Sequence, residues 1–371
     1  MKKDNTEKRP VTEPEKLNIP ENEIWTYQIE GLQEPHIETG REHSLGKKLG
    51  VVLILLVAIG LSIYFSVRAV HKETYEYKAL ENGTYELVKY SNPGEETKLT
   101  VDCVDGDPAK PITVLHEYFL NCDEKLTEVT LGKSITQIDG KSFYSCWALQ
   151  NIHVDPENPA YCDIDGVLFT KDLKTVVCYP IDHDAYLRKV HGYAEEPEWW
   201  GEDYTEQYIA DVMTFRLPAE TETIGMLAFN YAALADVTMP EGVKTIETMA
   251  FFRCSALRSI TTFKGEVEYA SLPEGLETIG SDAFSYDQAL DYLYLPASVK
   301  SIGHHAFWDA VYKDNGEIKG VAAINTALTE EQFKSQVETG DQWKPEYDFM
   351  LFKKAVPINY SAERTGANAA S

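Results

Sequence analysis

The sequence predicts a mainly β protein in which about six repeated coils stack into a solenoid, carry a β-hairpin insertion and follow a single transmembrane helix. Three observations predict this arrangement: a recurring phenylalanine, short alternating apolar pairs, and one long uncharged run. A single coil of this kind cannot bury its apolar side alone. Coils therefore stack and share one continuous core.

The repeat is marked by a phenylalanine that returns every 22 to 24 residues where units are adjacent. An isoleucine precedes most of these rings by five residues, and a leucine follows about six residues later. An alternating apolar pair comes next and predicts a strand whose alternate side chains point inward. The six phenylalanines are Phe119, Phe143, Phe229, Phe251, Phe284 and Phe307.

Small residues and prolines complete the repeat. Alanine directly precedes the last four phenylalanines, which leaves room for the ring in the interior. Gly225, Gly280 and Gly303 follow the isoleucine, where the pattern predicts a turn of the backbone. Prolines close several units because proline cannot donate a hydrogen bond to the next strand.

The consensus Ile-Gly-x-x-Ala-Phe-x-x-Cys-x-x-Leu resembles the BspA-like leucine-rich repeat family of bacterial cell-surface proteins, over roughly residues 75–360. Residues 163–180 are similar to the hairpin that this family inserts between coils. The resemblance implies a leucine-rich-repeat solenoid displayed outside the cell, with an adhesive or ligand-binding role and no particular ligand. The first unit's phase, the insertion after Lys264 and the stretch 181–213 depart from the pattern.

The uncharged run at residues 49–67 reads LGVVLILLVAIGLSIYFSV. At ~1.5 Å per residue it spans about 28 Å, close to the hydrocarbon thickness of a membrane. Forty-eight residues precede it and no small-residue cleavage site follows, which favours an uncleaved signal-anchor over a signal peptide. Basic residues are nearly balanced around the run, so the expected orientation rests on the family.

These features predict five segments. A disordered cytoplasmic tail occupies residues 1–48 and the transmembrane signal-anchor helix residues 49–67. A linker and N-terminal β cap follow at 68–111. The repeats occupy 112–310, with an insertion at about 156–213, and a C-terminal cap and tail occupy 311–371.

The net charge of -26 constrains the partners. So acidic a chain repels phosphate backbones, which makes nucleic acid a poor partner. The simplest role of the charge is solubility. The expected partners are an extracellular protein or polysaccharide, with no cofactor.

No catalytic site is predicted. The segment Asp163-Ile-Asp-Gly-Val-Leu resembles the phosphoryl-transfer loop of haloacid-dehalogenase-type phosphatases, but no buried hydrophobic strand precedes it. A turn and hairpin explain Asp163, Asp165 and Gly166.

No metal site or disulfide is predicted either. Cys122, Cys146 and Cys254 each stand three residues after a repeat phenylalanine, and we expect buried free thiols there. The adjacent His304 and His305 are expected to point apart and to make a poor joint metal site.

The predicted binding face consists of the strand residues that alternate with the buried ones. Five consecutive coils, at ~4.8 Å each, would present a strip of about 20 Å. Tyrosines at its far end supply stacking area with a polar tip. Outside the strip, tryptophans in an acidic loop are either anchors for a partner or a lid on the repeats. The candidate residues are Glu128, Asn151, His153, Asp236, Tyr292 and Tyr294 on the strip, and Trp199 and Trp200 in the loop.

The leading functional prediction is a membrane-anchored extracellular module that binds protein or polysaccharide. The alternative is a membrane-tethered sensor or scaffold that uses the cytoplasmic tail. An enzyme is the least favoured class because no catalytic constellation is present in the sequence.

The topology is directly testable. Protease added to intact, wall-stripped cells is expected to digest the repeats and spare residues 1–48, because only the repeats lie outside. Antibodies against each segment provide the readout, and permeabilised cells, in which both are digested, provide the control. Protection of the repeats together with digestion of the tail would show the opposite orientation.

Overall fold

The computed structural model describes residues 56–59, 74–94, 96–120, 123–193, 205–290, 292–314, 317–349 and 352–363. The chain divides into two compact units, Met1–Ile63 and Tyr64–Ser371. In the first unit, residues 56–59 are helical. The rest of the predicted membrane span and the whole tail 1–48 lie outside the described residues. Within the described residues, no helix has the length and apolarity needed to cross a membrane.

The second unit is built mainly from short strands. The α-helices among its described residues are α1 (His183–His191), α2 (Glu206–Val212) and α3 (Glu330–Gln336), and a 3-10 turn covers Val104–Gly106. The strands are β1 (Thr74–Ala79), β2 (Tyr85–Ser91), β3 (Lys98–Val101), β4 (Ile112–Leu115), β5 (Glu128–Leu131), β6 (Gln137–Ile138), β7 (Asn151–Val154), β8 (Tyr161–Ile164), β9 (Val167–Thr170), β10 (Thr175–Cys178), β11 (Thr214–Arg216), β12 (Thr223–Ile224), β13 (Asp236–Pro240), β14 (Thr245–Ile246), β15 (Ser259–Lys264), β16 (Val267–Ala270), β17 (Thr278–Ile279), β18 (Leu293–Leu295), β19 (Ser301–Ile302), β20 (Val311–Asp314), β21 (Glu317–Gly320), β22 (Ile324–Thr326), β23 (Glu338–Thr339), β24 (Glu346–Phe349), β25 (Phe352–Ala355) and β26 (Ile358–Asn359).

The longest sheet follows the repeat isoleucines. Strands β10, β12, β14, β17, β19 and β23 pair in parallel and in register, and we call them the isoleucine ladder. Ile224, Ile246, Ile279 and Ile302 are buried at successive levels of this ladder. The hydrogen bonds of each two-residue strand therefore go to the coils above and below it.

A column of stacked phenylalanines fills the interior beside the ladder. Phe229, Phe251, Phe284 and Phe307 are fully buried, with successive ring centroids 4.9, 5.1 and 5.2 Å apart and planes within 4° of parallel. The alanine before each ring is also fully buried. The ring spacing is close to the separation of neighbouring strands, so each coil contributes one ring per level.

The insertion after the second coil joins this stack. Strands β8 and β9 form the predicted antiparallel hairpin, and Asp165 and Gly166 make its turn with positive φ angles of 50° and 84°. Strand β10 then enters the isoleucine ladder beside β12, and β11 pairs with β13 in a second sheet.

The strands β10 and β11 together replace one coil of the stack. Tyr179 donates its backbone N–H to the Ala228 carbonyl at 2.7 Å, as Phe229 does to Ala250 at 2.8 Å. Its buried ring lies 5.5 Å from Phe229 and so extends the phenylalanine column by one level. Helices α1 and α2 lie between the two strands in sequence.

The C-terminal segment also continues the stack, which the repeat pattern did not predict. The Gly340 N–H donates to Ile302 at 2.7 Å, as Gly303 does to Ile279. Phe307 donates to the Trp343 carbonyl at 3.1 Å, in the place where an alanine carbonyl accepts in earlier coils. Residues 338–343 therefore form one more, degenerate coil.

The glycines after the isoleucines do not have the expected role. Gly225, Gly280 and Gly303 have no positive φ. Instead, a Cβ atom there would lie 2.7, 2.5 and 2.3 Å from backbone atoms of the preceding coil. They allow close approach of neighbouring coils rather than a turn. The left-handed conformation belongs to the residues two before and two after each ring of the column: Leu227, Tyr231, Met249, Arg253, Asp282, Tyr286, His305 and Asp309.

The N-terminal coils form a separate hydrophobic cluster. Sheets β1-β2-β4-β6 and β3-β5-β7 enclose Leu87, Phe119, Val129 and Phe143. Phe119 and Phe143 meet edge to face at 5.8 Å instead of stacking in parallel. The regular column is thus confined to the later coils.

The position three residues after Phe143 and after each column phenylalanine is buried, as predicted. Cys146 and Cys254 occupy this position in two coils, whereas Cys122 lies outside the described residues, so a free thiol there stays a prediction. In the next coil the same position holds Asp287, which is 0% exposed. Its Oδ1 accepts the Cys254 backbone N–H at 2.8 Å. Burial raises the pKa of the Asp287 carboxyl well above its usual range.

Removal of one ring from the column should strongly destabilise the fold. We expect Phe251→Ala to lower the free energy of unfolding by about 3–5 kcal/mol, because it leaves a cavity between two stacked rings. The neighbouring half-buried Phe252, changed to alanine, is the matched control and should cost clearly less. Equal losses in chemical denaturation of the two variants would contradict a column that stabilises the stack.

Asp287 should make stability depend on pH with a defined sign. Its carboxyl is protonated in both states below about pH 4. Above that pH the unfolded chain ionises while the folded chain keeps the proton, so stability falls until the pH passes the raised pKa of the folded state.

Asp287→Asn replaces the titrating carboxyl with an amide that stays neutral at every pH in this range. Its melting temperature relative to the parent should therefore rise between pH 4 and pH 8. Asp139→Asn, the same substitution at an exposed position, is the control for the effect of the exchange itself and is measured over the same pH range. A flat difference for Asp287→Asn would show that the buried carboxyl does not titrate as its burial requires.

Candidate binding surface

The expected five-coil strip does not form one surface. Strands β5 and β7 pair within β3-β5-β7, β13 and β15 within β11-β13-β15-β16, and β18 within β18-β22-β26. The hairpin β8–β9 and the helices α1 and α2 come between β7 and β13 in the chain. The prediction of one continuous strip is therefore wrong. The insertion interrupts it between β7 and β13, and β16 pairs with the edge of β15 that would otherwise face β18.

The predicted binding residues are divided between exposed and buried positions. His153 is exposed, and Glu128, Asp236 and Tyr292 are half-buried. The expected outward orientation is wrong for Asn151 and Tyr294, which are 8% and 3% exposed. Trp199 and Trp200 lie outside the described residues.

Asn151 is buried because the hairpin turn covers it. Its side-chain oxygen lies so near Gly166 that a Cβ there would approach to 2.2 Å, and Gly166 accepts the Ile152 N–H at 2.9 Å. Tyr294 lies in the C-terminal sheet with β22 and β26, in a segment with two further hairpins, β20–β21 and β24–β25. The repeat pattern revealed neither hairpin.

Three of the predicted polar residues are engaged within the protein. Glu128 pairs with Lys98 at 2.7 Å, and Asp236 accepts a hydrogen bond from the Ser259 hydroxyl. His153 lies 3.6 Å from Asp163. Asp163 also accepts the Val154 N–H at 2.8 Å, so this carboxylate attaches the hairpin to β7, in agreement with the turn-and-hairpin interpretation.

A different surface feature crosses the repeats. Trp147, Tyr231, Phe252, Tyr286 and Trp308 form what we call the aromatic row. Their successive ring centroids are 4.7, 6.1, 5.6 and 5.3 Å apart, and each ring meets the next edge to face at 75–86°. Trp147 is 41% exposed and the other four are half-buried.

The repeat geometry produces this row. Phe252 and Trp308 directly follow a column phenylalanine, whereas Tyr231 and Tyr286 stand two residues after one and have φ angles of 59° and 67°. Successive rings thus leave the backbone from different positions, which is consistent with their edge-to-face contacts. The signal was present in the sequence as an aromatic residue one or two positions after each of the four column phenylalanines.

Arg253 covers the middle of the row. Its guanidinium lies 4.6 Å from the centroid of Tyr286 and 5.6 Å from those of Tyr231 and Phe252. The ring faces at the centre of the aromatic row are therefore already in contact with a cation.

The two adjacent histidines contradict the expectation that they point apart. The left-handed backbone at His305 brings its ring centroid to 3.8 Å from that of His304. His305 also contacts the Gln342 side-chain oxygen at 2.7 Å and stacks on Trp308 at 5.1 Å. Across the described ranges, no group of three or more histidine, cysteine, aspartate or glutamate side chains is placed to hold a metal ion.

Comparison with protein families identifies the repeats. Residues 108–175 and 207–313 match six copies of the family described as BspA type Leucine rich repeat region. The chain carries a BspA-type leucine-rich repeat region. The match leaves out residues 176–206, which include most of β10 and the helix α1. No curated protein sequence matches the chain.

Several solved structures of leucine-rich repeat proteins are similar to this chain at low sequence identity. The pneumococcal vaccine antigen PcpA is 22% identical with a TM-score of 0.47; the alignment covers 69% of this chain and 56% of the antigen's chain. A leucine-rich repeat protein from Bacteroides ovatus is 14% identical with a TM-score of 0.37, covering 78% and 75%. The T. pallidum leucine-rich repeat protein is 18% identical with a TM-score of 0.34, covering 63% and 86%.

Proposed function

We propose that this protein is a membrane-anchored extracellular binding module, in which a leucine-rich-repeat solenoid presents the aromatic row to a polysaccharide or protein. The observation that carries the proposal is the row itself, five aromatic side chains in continuous contact across the coils, each of them at least partly reached by solvent. Exposed aromatic rings grouped in this way are typical of recognition surfaces. The BspA-type repeats support surface display, and the run at 49–67 would supply the anchor.

The charges around the row favour a neutral ligand. Arg253 occupies the central ring faces, so it repels a second cation there. The net charge of -26 repels a polyanion. A neutral polysaccharide fits both conditions. Its apolar sugar faces pack where Arg253 does not lie over the rings, as at the exposed Trp147, and its hydroxyls accept hydrogen bonds from Arg253 and the two tyrosine hydroxyls.

The alternative role as a sensor or scaffold depends on the cytoplasmic tail. Residues 1–48 lie outside the described residues, so that role stays a prediction. The remaining strip residues, Glu128, His153, Asp236 and Tyr292, and the loop pair Trp199 and Trp200, likewise stay predictions as ligand contacts.

The row can be tested with cells that display the full chain. Glycan and protein arrays first identify a ligand. The double variant Phe252→Ala/Trp308→Ala should then weaken binding by about tenfold or more, because each ring contributes ~0.5–1.5 kcal/mol of stacking. The loss is measured as the shift in half-saturation of labelled ligand.

Tyr118→Ala is the matched control for the row. Tyr118 is 44% exposed and forms an edge-to-face pair with Tyr144 outside the row. Its removal should leave binding unchanged. If the control and the row variant lose binding equally, or if displayed cells bind nothing on either array, the proposed function is wrong.

A further inference from the structure

A cleft of about 410 Å³ lies near the N-terminal end of the repeat unit. The strands β1 and β2 contribute Tyr75, Tyr77 and Leu87, and the segment after β3 contributes Asp102 and Asp105. Buried Val101 and Ile112 add to the apolar lining provided by Leu87. The volume is that of a typical small-ligand site, and the lining combines apolar, aromatic and acidic groups.

Tyrosine rings form the aromatic part of this cleft. Tyr75 and Tyr77 alternate on β1 and therefore project to the same face of the sheet. Their rings are parallel within 2° with centroids 5.9 Å apart, and Tyr75 also packs on the buried Tyr90 at 5.1 Å. Both are half-buried, so the pair is rigidly supported and still reached by solvent.

The acidic part of the lining consists of two carboxylates. Asp102 and Asp105 are exposed, and within the described part of the chain neither forms an ion pair. Asp107, in the same loop, pairs with Lys110 at 3.4 Å. Burial and the negative charge of Asp105 both raise the pKa of the Tyr77 hydroxyl. The Asp105 carboxylate is therefore close enough to interact electrostatically with Tyr77.

We propose that this cleft binds an organic ammonium group on an apolar stem. The ammonium lies against the tyrosine rings as a cation–π contact, Asp102 and Asp105 provide the opposite charge, and Leu87, Val101 and Ile112 contact the stem. A lysine side chain and a quaternary ammonium headgroup both have this chemistry. The site is separate from the aromatic row and does not depend on the function proposed for it.

The overall charge supports this ligand class. A chain of net charge -26 concentrates cations near its surface and repels anions. A bare metal ion fits less well, because much of the lining is apolar or aromatic and no group of three or more metal-ligating side chains is found in the described residues. The ligand must therefore combine a positive charge with hydrocarbon surface.

Calorimetric titration of the full chain in an uncharged detergent tests the proposal. The probes are n-butylammonium and tetramethylammonium, and the neutral comparison compounds are n-pentanol and neopentyl alcohol. We expect saturable binding of at least one ammonium, at least about tenfold tighter than its neutral counterpart. A preference between the two ammonium probes separates the lysine-like source from the quaternary one. Equal or absent binding of ammonium and alcohol overturns the proposal.

Matched variants locate the binding in the cleft. Asp105 has a left-handed φ of 52°, which asparagine tolerates, so Asp105→Asn removes the charge and keeps the backbone. It should weaken ammonium binding about fivefold, whereas Asp107→Asn, the same charge change outside the lining, should weaken it less than twofold.

A second pair of variants separates the role of the Tyr77 ring from that of its hydroxyl. Tyr77→Leu should weaken binding about fivefold, and Tyr77→Phe, which keeps the ring, should retain it. Thermal melting confirms that each variant folds. If Asp107→Asn weakens ammonium binding as much as Asp105→Asn, or if Tyr77→Phe weakens it as much as Tyr77→Leu, the ammonium does not bind in this cleft as proposed.

Discussion

The stacking of Phe229, Phe251, Phe284 and Phe307 sets the spacing on which the rest of the structure depends. The rings are 4.9 to 5.2 Å apart, and the parallel strands of the isoleucine ladder must pair at nearly the same distance. Coils held this close leave no room for a Cβ atom after the isoleucine in most levels, which explains the glycines there. One constraint thus links ring packing, backbone pairing and glycine position.

The same constraint explains how the stack accommodates its irregular coils. Strand β10 with Tyr179 reproduces one level although it is formed by an insertion, and residues 338–343 reproduce another without an isoleucine or a phenylalanine. A level requires a backbone in register and an aromatic or similarly large group against the column. It does not require the repeat sequence itself.

The two candidate binding surfaces, the aromatic row and the N-terminal cleft, follow from these packing requirements of the core. The aromatic row starts one or two residues beyond the buried column in four coils, so its rings inherit the column's regular spacing. The charged residues that precede the ladder strands repeat at the same regular spacing. Lys174 and Lys244 both pair with Glu222, at 2.7 and 2.6 Å, and these contacts lower the pKa of the Glu222 carboxyl to about 2. The N-terminal cleft lies where the regular column is absent, which leaves space between β1–β2 and the loop after β3.

The sequence by itself determined the repeat period, the buried phenylalanines and thiols, and the β8–β9 hairpin, because each is specified by residue types within one unit of about 23 residues. Only the tertiary structure decided which strand residues reach solvent. Asn151 is covered by a turn 15 residues later, Tyr294 lies in a sheet completed by β22 and β26, and the aromatic row joins Trp147 to Tyr231 across 84 residues. Periodicity within a unit gives the inward side of each strand, but exposure of the outward side depends on what distant segments pack against it. Such contacts leave no periodic signal in the sequence.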